Sequence, residues 1–194
     1  MASLFECEVR YKIEDIEVFE ERLRELGAAV LYPYEYTDYY FEPAKDQWNP
    51  LEKSLRIREW KTPAEPTTIY FVKNEIVSVG DTRFKRALYP EGKVPLFSGD
   101  FCTCKSIIED LGFQLWLVIN KAKAKLWEIP EHGFKTAVEY IEHLGWTGEL
   151  EFEGDNIARA GSHIEKALKT LRISQDLVSF KPVSVIVAEK MEIL

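Results

Sequence analysis

The charged side chains of the first predicted strand all lie on one of its two faces. Residues 4–13 read L-F-E-C-E-V-R-Y-K-I, and side chains along a strand point alternately to opposite faces. The charged face carries, in chain order, Glu6, Glu8, Arg10 and Lys12. Successive glutamates lie only ~7 Å apart and repel unless a cation lies beside them. Two acids followed by two bases therefore fit a metal ion bridging to a polyanion, with the solvated face of an edge strand as the alternative.

The same alternation recurs in three later segments of the chain. Their charged faces carry Arg56 and Arg58; Lys121, Lys123 and Lys125; and Glu149, Glu151 and Glu153. If all these faces met solvent, the sheet would be ordinary. If they pointed into a closed barrel, acids and bases would line a polar lumen, and the apolar faces would point outward under helices. That second arrangement predicts a charged ligand inside the barrel.

Length and composition are those of one globular domain. The 194 residues predict a single domain, 1–194, with a C-terminal helical segment, 155–194. No stretch approaches the ~20 apolar residues of a membrane helix, and a net charge of −8 argues against nucleic-acid binding. The N-terminal residues lack a signal-peptide pattern, and the three cysteines, predicted to be free thiols, suit a reducing compartment. We therefore expect a cytoplasmic protein that binds neither nucleic acid nor membrane.

Apolar spacing predicts three helices and many antiparallel strands. The first helix is capped by Asp15 and ends at Gly27, the second spans 102–111, and the third is capped by Asp155 or Asn156. The predicted strands are 4–13, 30–41 with a break at Pro33, 55–60, 67–73, 82–88, 115–127, 133–144 and 148–154, with a helix as the alternative for 133–144. Residues 89–99 are predicted to be a loop, and the pattern of 181–194 leaves its structure open. This order favours a barrel-like α+β fold.

Residues 6–10, E-C-E-V-R, resemble the E-x-E-x-K opening of the CYTH superfamily, the triphosphate tunnel metalloenzymes. That superfamily includes class IV adenylyl cyclases, thiamine triphosphatases and inorganic triphosphatases. Further matching features follow in the family's order: 26–28 (L-G-A), 38–41 (D-Y-Y-F), 55–59 (L-R-I-R-E), Lys73, Arg83, 111–113 (L-G-F), Lys121, Lys123, Glu139, Glu142 and 150–153 (L-E-F-E). The resemblance covers about residues 4–172.

The resemblance implies an α+β fold built on a closed antiparallel eight-stranded β-barrel, a tunnel open at both ends with helices packed outside. It implies that one or two Mg2+ or Mn2+ ions, which prefer carboxylate oxygens, are held by Glu6, Glu8, Glu139, Glu151 and Glu153. It implies that the phosphate chain is bound by Arg56, Arg58, Lys73, Arg83, Lys121 and Lys123. Lys125 is predicted to lie at the tunnel mouth or in solvent.

The chain departs from the family pattern in two places. Arg10 stands where the motif has lysine, and an arginine cannot act as a base at working pH. The catalytic candidates are therefore Arg10 itself, Lys12 on the same predicted face, and Lys73. Residues 83–87, R-F-K-R-A, replace an acidic alternation with basic and apolar residues, so the acidic side of the lumen is expected to be thinner.

The function implied is hydrolysis of a triphosphate, dependent on a divalent metal, with tripolyphosphate, thiamine triphosphate or ATP as the small-molecule partner. A first alternative is a class IV adenylyl cyclase, which converts ATP to cyclic AMP and pyrophosphate. A second is a binder of polyphosphate or nucleotide without turnover, which the replacement at Arg10 favours. A homodimer is also predicted.

Overall fold

The computed structural model describes residues 5–89, 92–154 and 156–194. Within these ranges the strands are β1 (Phe5–Lys12), β2 (Ala29–Pro43), β3 (Lys53–Thr62), β4 (Thr67–Val79), β5 (Thr82–Ala87), β6 (Val94–Gly99), β7 (Phe113–Ile129), β8 (Phe134–Ile141), β9 (Gly145–Gly154) and β10 (Val178–Ser179). The helices are α1 (Ile16–Glu25), α2 (Phe101–Asp110), α3 (Ile157–Leu171) and α4 (Val183–Lys190). None of these helices combines the length and apolar character that a bilayer-crossing helix needs.

Eight of the strands close into a ring. Their order is β1-β5-β4-β3-β2-β7-β8-β9, with β9 pairing back to β1, and every neighbouring pair is antiparallel. The predicted α+β fold with a closed antiparallel eight-stranded arrangement is confirmed. Outside the ring, β6 pairs with β4, and β10 pairs with β1 next to the end of β5.

The apolar faces of the strands point outward and are covered by helices. Cys7, Val9 and Tyr11 of β1 are buried in a core that includes residues of α1 and α3. On the opposite part of the ring, Cys104 and Ile108 of α2 pack against apolar side chains of β2, β3 and β4. Burial of each large apolar side chain contributes about 1.5–3 kcal/mol. This outer core leaves the charged faces to point into the ring.

Side-chain caps fix where two of the outer helices begin. The Asp15 carboxylate accepts the backbone N–H groups of Glu17 and Val18 at the start of α1. The Asn156 side chain accepts the backbone N–H of Arg159 at the start of α3. Such bonds satisfy amide donors that the first turn of a helix leaves free. The other predicted cap, Asp155, lies outside the described residues, as does Leu4 of the predicted first strand.

Two local predictions were wrong. Part of the predicted loop 89–99 is the strand β6, which pairs with residues 67–71 of β4 beyond the end of β5. The break at Pro33 is absent, because β2 runs through this residue. The pairing of β2 with β7 shifts register on either side, at Val30/Tyr32 and Tyr34/Tyr36. These shifts accommodate Pro33, which has no N–H to donate to the neighbouring strand.

The C-terminal segment, left open by the sequence, covers part of the ring. After β10 the chain forms α4, whose Val187 and Ala188 cluster with Tyr40, Leu117 and Ile119. Leu117 and Ile119 share the strand face of Lys121, which lines the interior of the ring. Helix α4 therefore packs against inward-facing positions of β2 and β7, and its first residue, Val183, reaches the interior cavity.

Candidate functional site

The ring encloses a cavity of about 410 Å³ that is lined by charged side chains of both signs. The acids are Glu6, Glu8, Asp38, Glu139, Glu149 and Glu151, and the bases are Arg56, Arg58, Lys85, Lys93, Lys121 and Lys135. Tyrosines of β2 form much of the remaining wall. Charged side chains of β1, β3 and β9, together with Lys121 of β7, thus converge on one space. This is the second of the two arrangements that alternation left open and the one that the resemblance implied.

A group of buried residues that we call the inner cluster neutralises its own charges. It consists of Arg10, Tyr34, Lys121, Glu139 and Glu149. Arg10 Nη1 donates to Glu139 Oε2 at 2.8 Å, and Arg10 Nη2 donates to Glu149. Lys121 Nζ lies 2.9 Å and 3.0 Å from the two Glu139 oxygens, and the Tyr34 hydroxyl donates to Oε1 at 2.6 Å. Every charge in this cluster has a partner of opposite sign.

Glu139 is held ionised by this arrangement. Burial by itself raises the pKa of Glu139, but Lys121 and Arg10 outweigh it and bring that pKa down to about 2. Burial lowers the pKa of Lys121 to about 8, against the raising effect of Glu139. The Glu139 carboxylate is therefore already neutralised by Lys121 and Arg10. Lys121 is itself a cation that loses its proton slightly above neutral pH.

Asp38 of β2 anchors the arginines of β3. Arg58 donates through Nε and Nη2 to the two Asp38 oxygens at 2.7 Å and 2.8 Å, and its guanidinium lies 3.6 Å from the ring centroid of Tyr36. Arg56 Nε lies 3.5 Å from Asp38 Oδ2, yet it is buried and has no hydrogen-bond acceptor among the described residues. Arg58 is thus fixed by a two-point contact, whereas Arg56 has an unused donor beside the cavity.

Glu6 and Glu8 lie two residues apart on one strand face but have opposite surroundings. The Glu8 carboxylate forms an ion pair with Lys85, which outweighs the effect of burial and lowers the pKa of Glu8. For Glu6, burial and the nearby carboxylates of Glu151 and Glu8 raise the pKa to about 8. No described residue forms an ion pair with Glu6 or Glu151. We call these two the open carboxylate pair.

The segment after β5 brings a further cation to the cavity. Gly92 adopts φ +70°, and a side chain there would collide with the Glu6 carboxylate. Only glycine fits this close approach without strain. The next residue, Lys93, lines the cavity, and burial together with Arg58 and Arg56 lowers its pKa.

Several predicted site residues do not line the cavity. Lys12, Lys73, Arg83 and Glu153 are exposed and absent from its wall. Lys73 follows Val72, which does line the cavity, so alternation turns the lysine outward. The Arg83 guanidinium lies 3.9 Å from the ring centroid of Phe180. Arg10 lies behind the wall within the inner cluster.

A bulge in β7 separates Lys121 from the two lysines that follow it. Lys123 has φ +51°, and the register with β8 shifts between Ala122 and Lys125. Lys123 is exposed, and the Lys125 ammonium donates to Glu20 of α1 at 2.7 Å. The extra residue reverses the alternation, so the assignment of all three lysines to one face was wrong.

The sequence did not single out Asp38, Lys85, Lys93 or Glu149 as site residues. For Lys85 and Glu149 the signal was present, since each lies on the inward face of a predicted strand. Asp38 shares its strand face with Tyr36 and Tyr40, and tyrosines do not show whether a face points into the ring or out of it. Lys93 lay in a predicted loop, where alternation gives no information.

The open carboxylate pair fits a hard divalent cation. Among the described residues, no group of three acidic, histidine or cysteine side chains is arranged to hold a metal ion. Mg2+, however, is commonly bound by only one or two carboxylates together with substrate phosphates and water. Glu6 and Glu151 supply two carboxylates that line the cavity, and no described residue forms an ion pair with either, although the Lys93 ammonium lies near enough to lower the pKa of both in part.

Comparison with known proteins identifies the family of this chain. A model of the CYTH domain matches residues 4–178, whereas no curated protein matches. A structure from Pyrococcus horikoshii superposes with a TM-score of 0.72 at 18% identity, covering 95% of this chain and 99% of that one. A candidate adenylate cyclase from Vibrio parahaemolyticus gives 0.69 at 15% identity, covering 95% and 98%.

A third similar structure comes from Hippeastrum. This candidate adenylyl cyclase, described as revealing a dominant triphosphatase activity, gives a TM-score of 0.60 at 12% identity and covers 97% of this chain and 96% of that one. At such identities these three likenesses show the fold alone.

Proposed function

The chain belongs to the CYTH domain family, and we propose that it hydrolyses a triphosphate bound in the cavity of its strand ring, with the help of a divalent metal ion. One observation carries the proposal: most charged side chains of the cavity form ion pairs with one another, but two acids and several bases do not. Glu6, Glu151 and Lys93 form no ion pair with any described residue, and Arg56, 3.5 Å from Asp38, keeps one donor without an acceptor. A metal ion complexed with a polyphosphate supplies both a cation for the acids and an anion for the bases.

The phosphate chain is assigned to three cations that line the cavity, Arg56, Arg58 and Lys93. Lys85 and Lys121 line it too, but they form ion pairs with Glu8 and Glu139. Arg58 is oriented by Asp38, so its guanidinium loses little freedom on binding. Arg56 also lines the cavity, and because its Nε forms no hydrogen bond with a described residue, its guanidinium is held less firmly than that of Arg58 and can turn toward a phosphate oxygen. Lys73, Arg83 and Lys123 are not assigned, since they lie outside the cavity wall.

The metal ion, Mg2+ or Mn2+, is assigned to Glu6 and Glu151. When bound, it would neutralise charge on phosphate oxygens and stabilise the charge that develops during transfer. Burial and, after it, the carboxylates of Glu151 and Glu8 raise the pKa of Glu6, and the negative charge of these carboxylates also attracts a cation. Glu139 and Glu149 are already neutralised by the inner cluster, and Glu153 lies outside the wall.

Activation of the attacking water is assigned to Lys121. Burial alone would lower the pKa of Arg10, but Glu139 raises it above its ordinary value, so Arg10 stays charged. Lys12 and Lys73 are exposed outside the cavity. Lys121 lines the cavity, and its pKa of about 8 lies near working pH, where a general base is most effective.

A product assay tests this proposal against its rivals. Tripolyphosphate, thiamine triphosphate and ATP are each incubated with Mg2+ or Mn2+, and the products are resolved. We expect orthophosphate and the corresponding diphosphate, and much less of both with Glu6→Gln. Cyclic AMP with pyrophosphate would establish cyclisation instead. Thermal stabilisation by these ligands without any product would establish a binder.

A further inference from the structure

We propose that Lys85 is a built-in counter-cation for Glu8 and thereby restricts the cavity to one divalent ion, held at the open carboxylate pair. The inference rests on the proposed function. In this proposal, Lys85 sets whether the cavity binds one divalent ion or two.

The strand register places Lys85 directly beside Glu8. Glu8 is paired with Lys85 of β5 on one side and with Glu151 of β9 on the other. Side chains directly opposite in antiparallel strands lie close enough to interact, and here the ammonium contacts the carboxylate. The side chains of Lys85 and Glu8 are only 12% and 16% exposed. Solvent therefore does not loosen this pair as it loosens surface ion pairs.

The same register gives Glu6 no such partner. Its neighbour on β9 is the acid Glu153, and β5 ends one residue beyond Arg86, at the methyl side chain of Ala87. One strand thus brings an ammonium to Glu8 and only a methyl group near Glu6. Among the strands that pair with β1, the difference between the two carboxylates lies in β5, because β9 is acidic at both positions. Lys93, which follows β5, lies near Glu6 but forms no ion pair with it.

Arg10 neutralises Glu149 as Lys85 neutralises Glu8. The inward face of β1 and β9 directs four carboxylates at the cavity: Glu6, Glu8, Glu149 and Glu151. Arg10 donates to Glu149, and Lys85 contacts Glu8. A divalent ion at Glu8 would have to displace the Lys85 ammonium and leave it as a like charge beside the ion. The chain itself therefore removes two of the four carboxylates, and Glu6 and Glu151 hold one ion.

The number of Mn2+ ions bound per chain tests the proposal. Full-length protein is titrated with MnCl2 in a buffer without phosphate ligands, since tripolyphosphate itself binds Mn2+ and is a proposed substrate, with free Mn2+ followed by electron paramagnetic resonance and heat by calorimetry. We expect one ion for the wild type and two for Lys85→Met, which keeps the apolar stem and removes the ammonium. Lys85→Arg, which keeps the charge, and Lys73→Met, the same change on the outer face, should each bind one.

Stability gives a second measurement that does not depend on turnover. Lys85→Met leaves Glu8 unpaired, so without metal its melting temperature should fall. Mn2+ should raise it again by more than it raises that of the wild type, because an extra ion binds the native state. Lys85→Gln, which keeps a polar end, repeats the test should Lys85→Met not fold.

The outcomes separate this inference from the proposed function. Two Mn2+ ions on the wild type would overturn the role of Lys85 while leaving metal-dependent hydrolysis intact, and that result needs no variant. One ion on a folded Lys85→Met or Lys85→Gln protein would also overturn it. No Mn2+ on any of the proteins would overturn both the inference and the assigned metal.

Discussion

The inner cluster and the open carboxylate pair are built from the same residue types, yet the fold treats them in opposite ways. In the inner cluster, Glu139 has two cations and a tyrosine hydroxyl as partners. At the open pair, Glu6 has another carboxylate as its neighbour, and its pKa rises to about 8. The completed ion pairs join strands across the ring, whereas the open carboxylate pair is where we propose that the metal ion binds. Charge in the lumen is therefore a guide to function only after the internal pairs are removed.

Arg10→Met should give the largest change in stability. It leaves Glu139 with one cation fewer and Glu149 with none, and breaking a buried pair from one side costs about 3–5 kcal/mol. Thermal or urea unfolding at pH 7 measures the loss. Lys12→Met, on the same strand face but exposed, is the matched control and should change stability by less than about 0.5 kcal/mol.

Arg10→Lys sharpens this comparison, because it restores the family residue. A lysine lacks the fork that reaches two carboxylates, so we expect lower stability and no gain in hydrolysis. An increase in hydrolysis at high pH would instead place position 10 in the chemistry.

Glu6→Gln should have the largest effect on activity. Loss of one of two metal carboxylates is expected to lower metal-dependent kcat/KM about 100-fold, equivalent to about 2.7 kcal/mol. Glu153→Gln, an exposed acid on β9, should leave the rate unchanged. Equal losses in the two variants would contradict the assignment of the metal to the open carboxylate pair.

Tripolyphosphate with Mg2+ should stabilise the fold against heat. At 100 times its Kd, a ligand that binds only the native state contributes about 2.7 kcal/mol, or roughly 5–10 °C in a domain of this size. The shift should shrink in Arg56→Ala and persist in Arg83→Ala, because Arg83 stacks on Phe180 outside the cavity wall. A shift lost equally in both variants would restore the phosphate role that the sequence predicted for Arg83.

The pH profile of kcat/KM tests Lys121. A base with a pKa of about 8 gives a rate that rises with pH until the lysine is deprotonated and then levels off. Lys121→Arg keeps the charge beside Glu139 but cannot deprotonate, so the rising limb should disappear and the rate at pH 8 should fall about tenfold. If kcat/KM of Lys121→Arg still rises with pH, another group is the base.

The smallest effect is expected in the pH dependence of metal-free stability. Because the folded state raises the pKa of Glu6 from 4.5 to about 8, it binds that proton more tightly than the unfolded chain does. The free energy of unfolding should therefore fall as pH rises from 4.5 toward 8. Partial exposure of Glu6 limits the size of the fall. Glu6→Gln or saturating Mn2+ should flatten this dependence of the unfolding free energy on pH. If neither changes it, Glu6 does not have a raised pKa in the folded protein.

Predictions from the sequence were reliable where local alternation decides and failed where it is interrupted. Glu6, Glu8, Arg56, Arg58, Lys121 and Glu151 reach the cavity because their strands are regular up to those positions. Lys123 and Lys125 do not, since one extra residue in β7 reverses the faces beyond it. Lys73, which was assigned from the resemblance and not from alternation, lies on the outward face of β4, one residue beyond Val72. Cytoplasmic localisation and the homodimer stay predictions.

By itself the sequence determined that this chain forms strands with one apolar and one charged face. Such strands bury their apolar faces under helices, and their charges then face either solvent or the inside of a closed ring. Which charges neutralise one another was decided by the tertiary structure alone. Arg10 meets Glu139 across 129 residues of chain, and Lys85 meets Glu8 only because β5 pairs with β1 in one register. Ion pairing depends on distance in space, whereas the alternation of faces depends on distance along the chain.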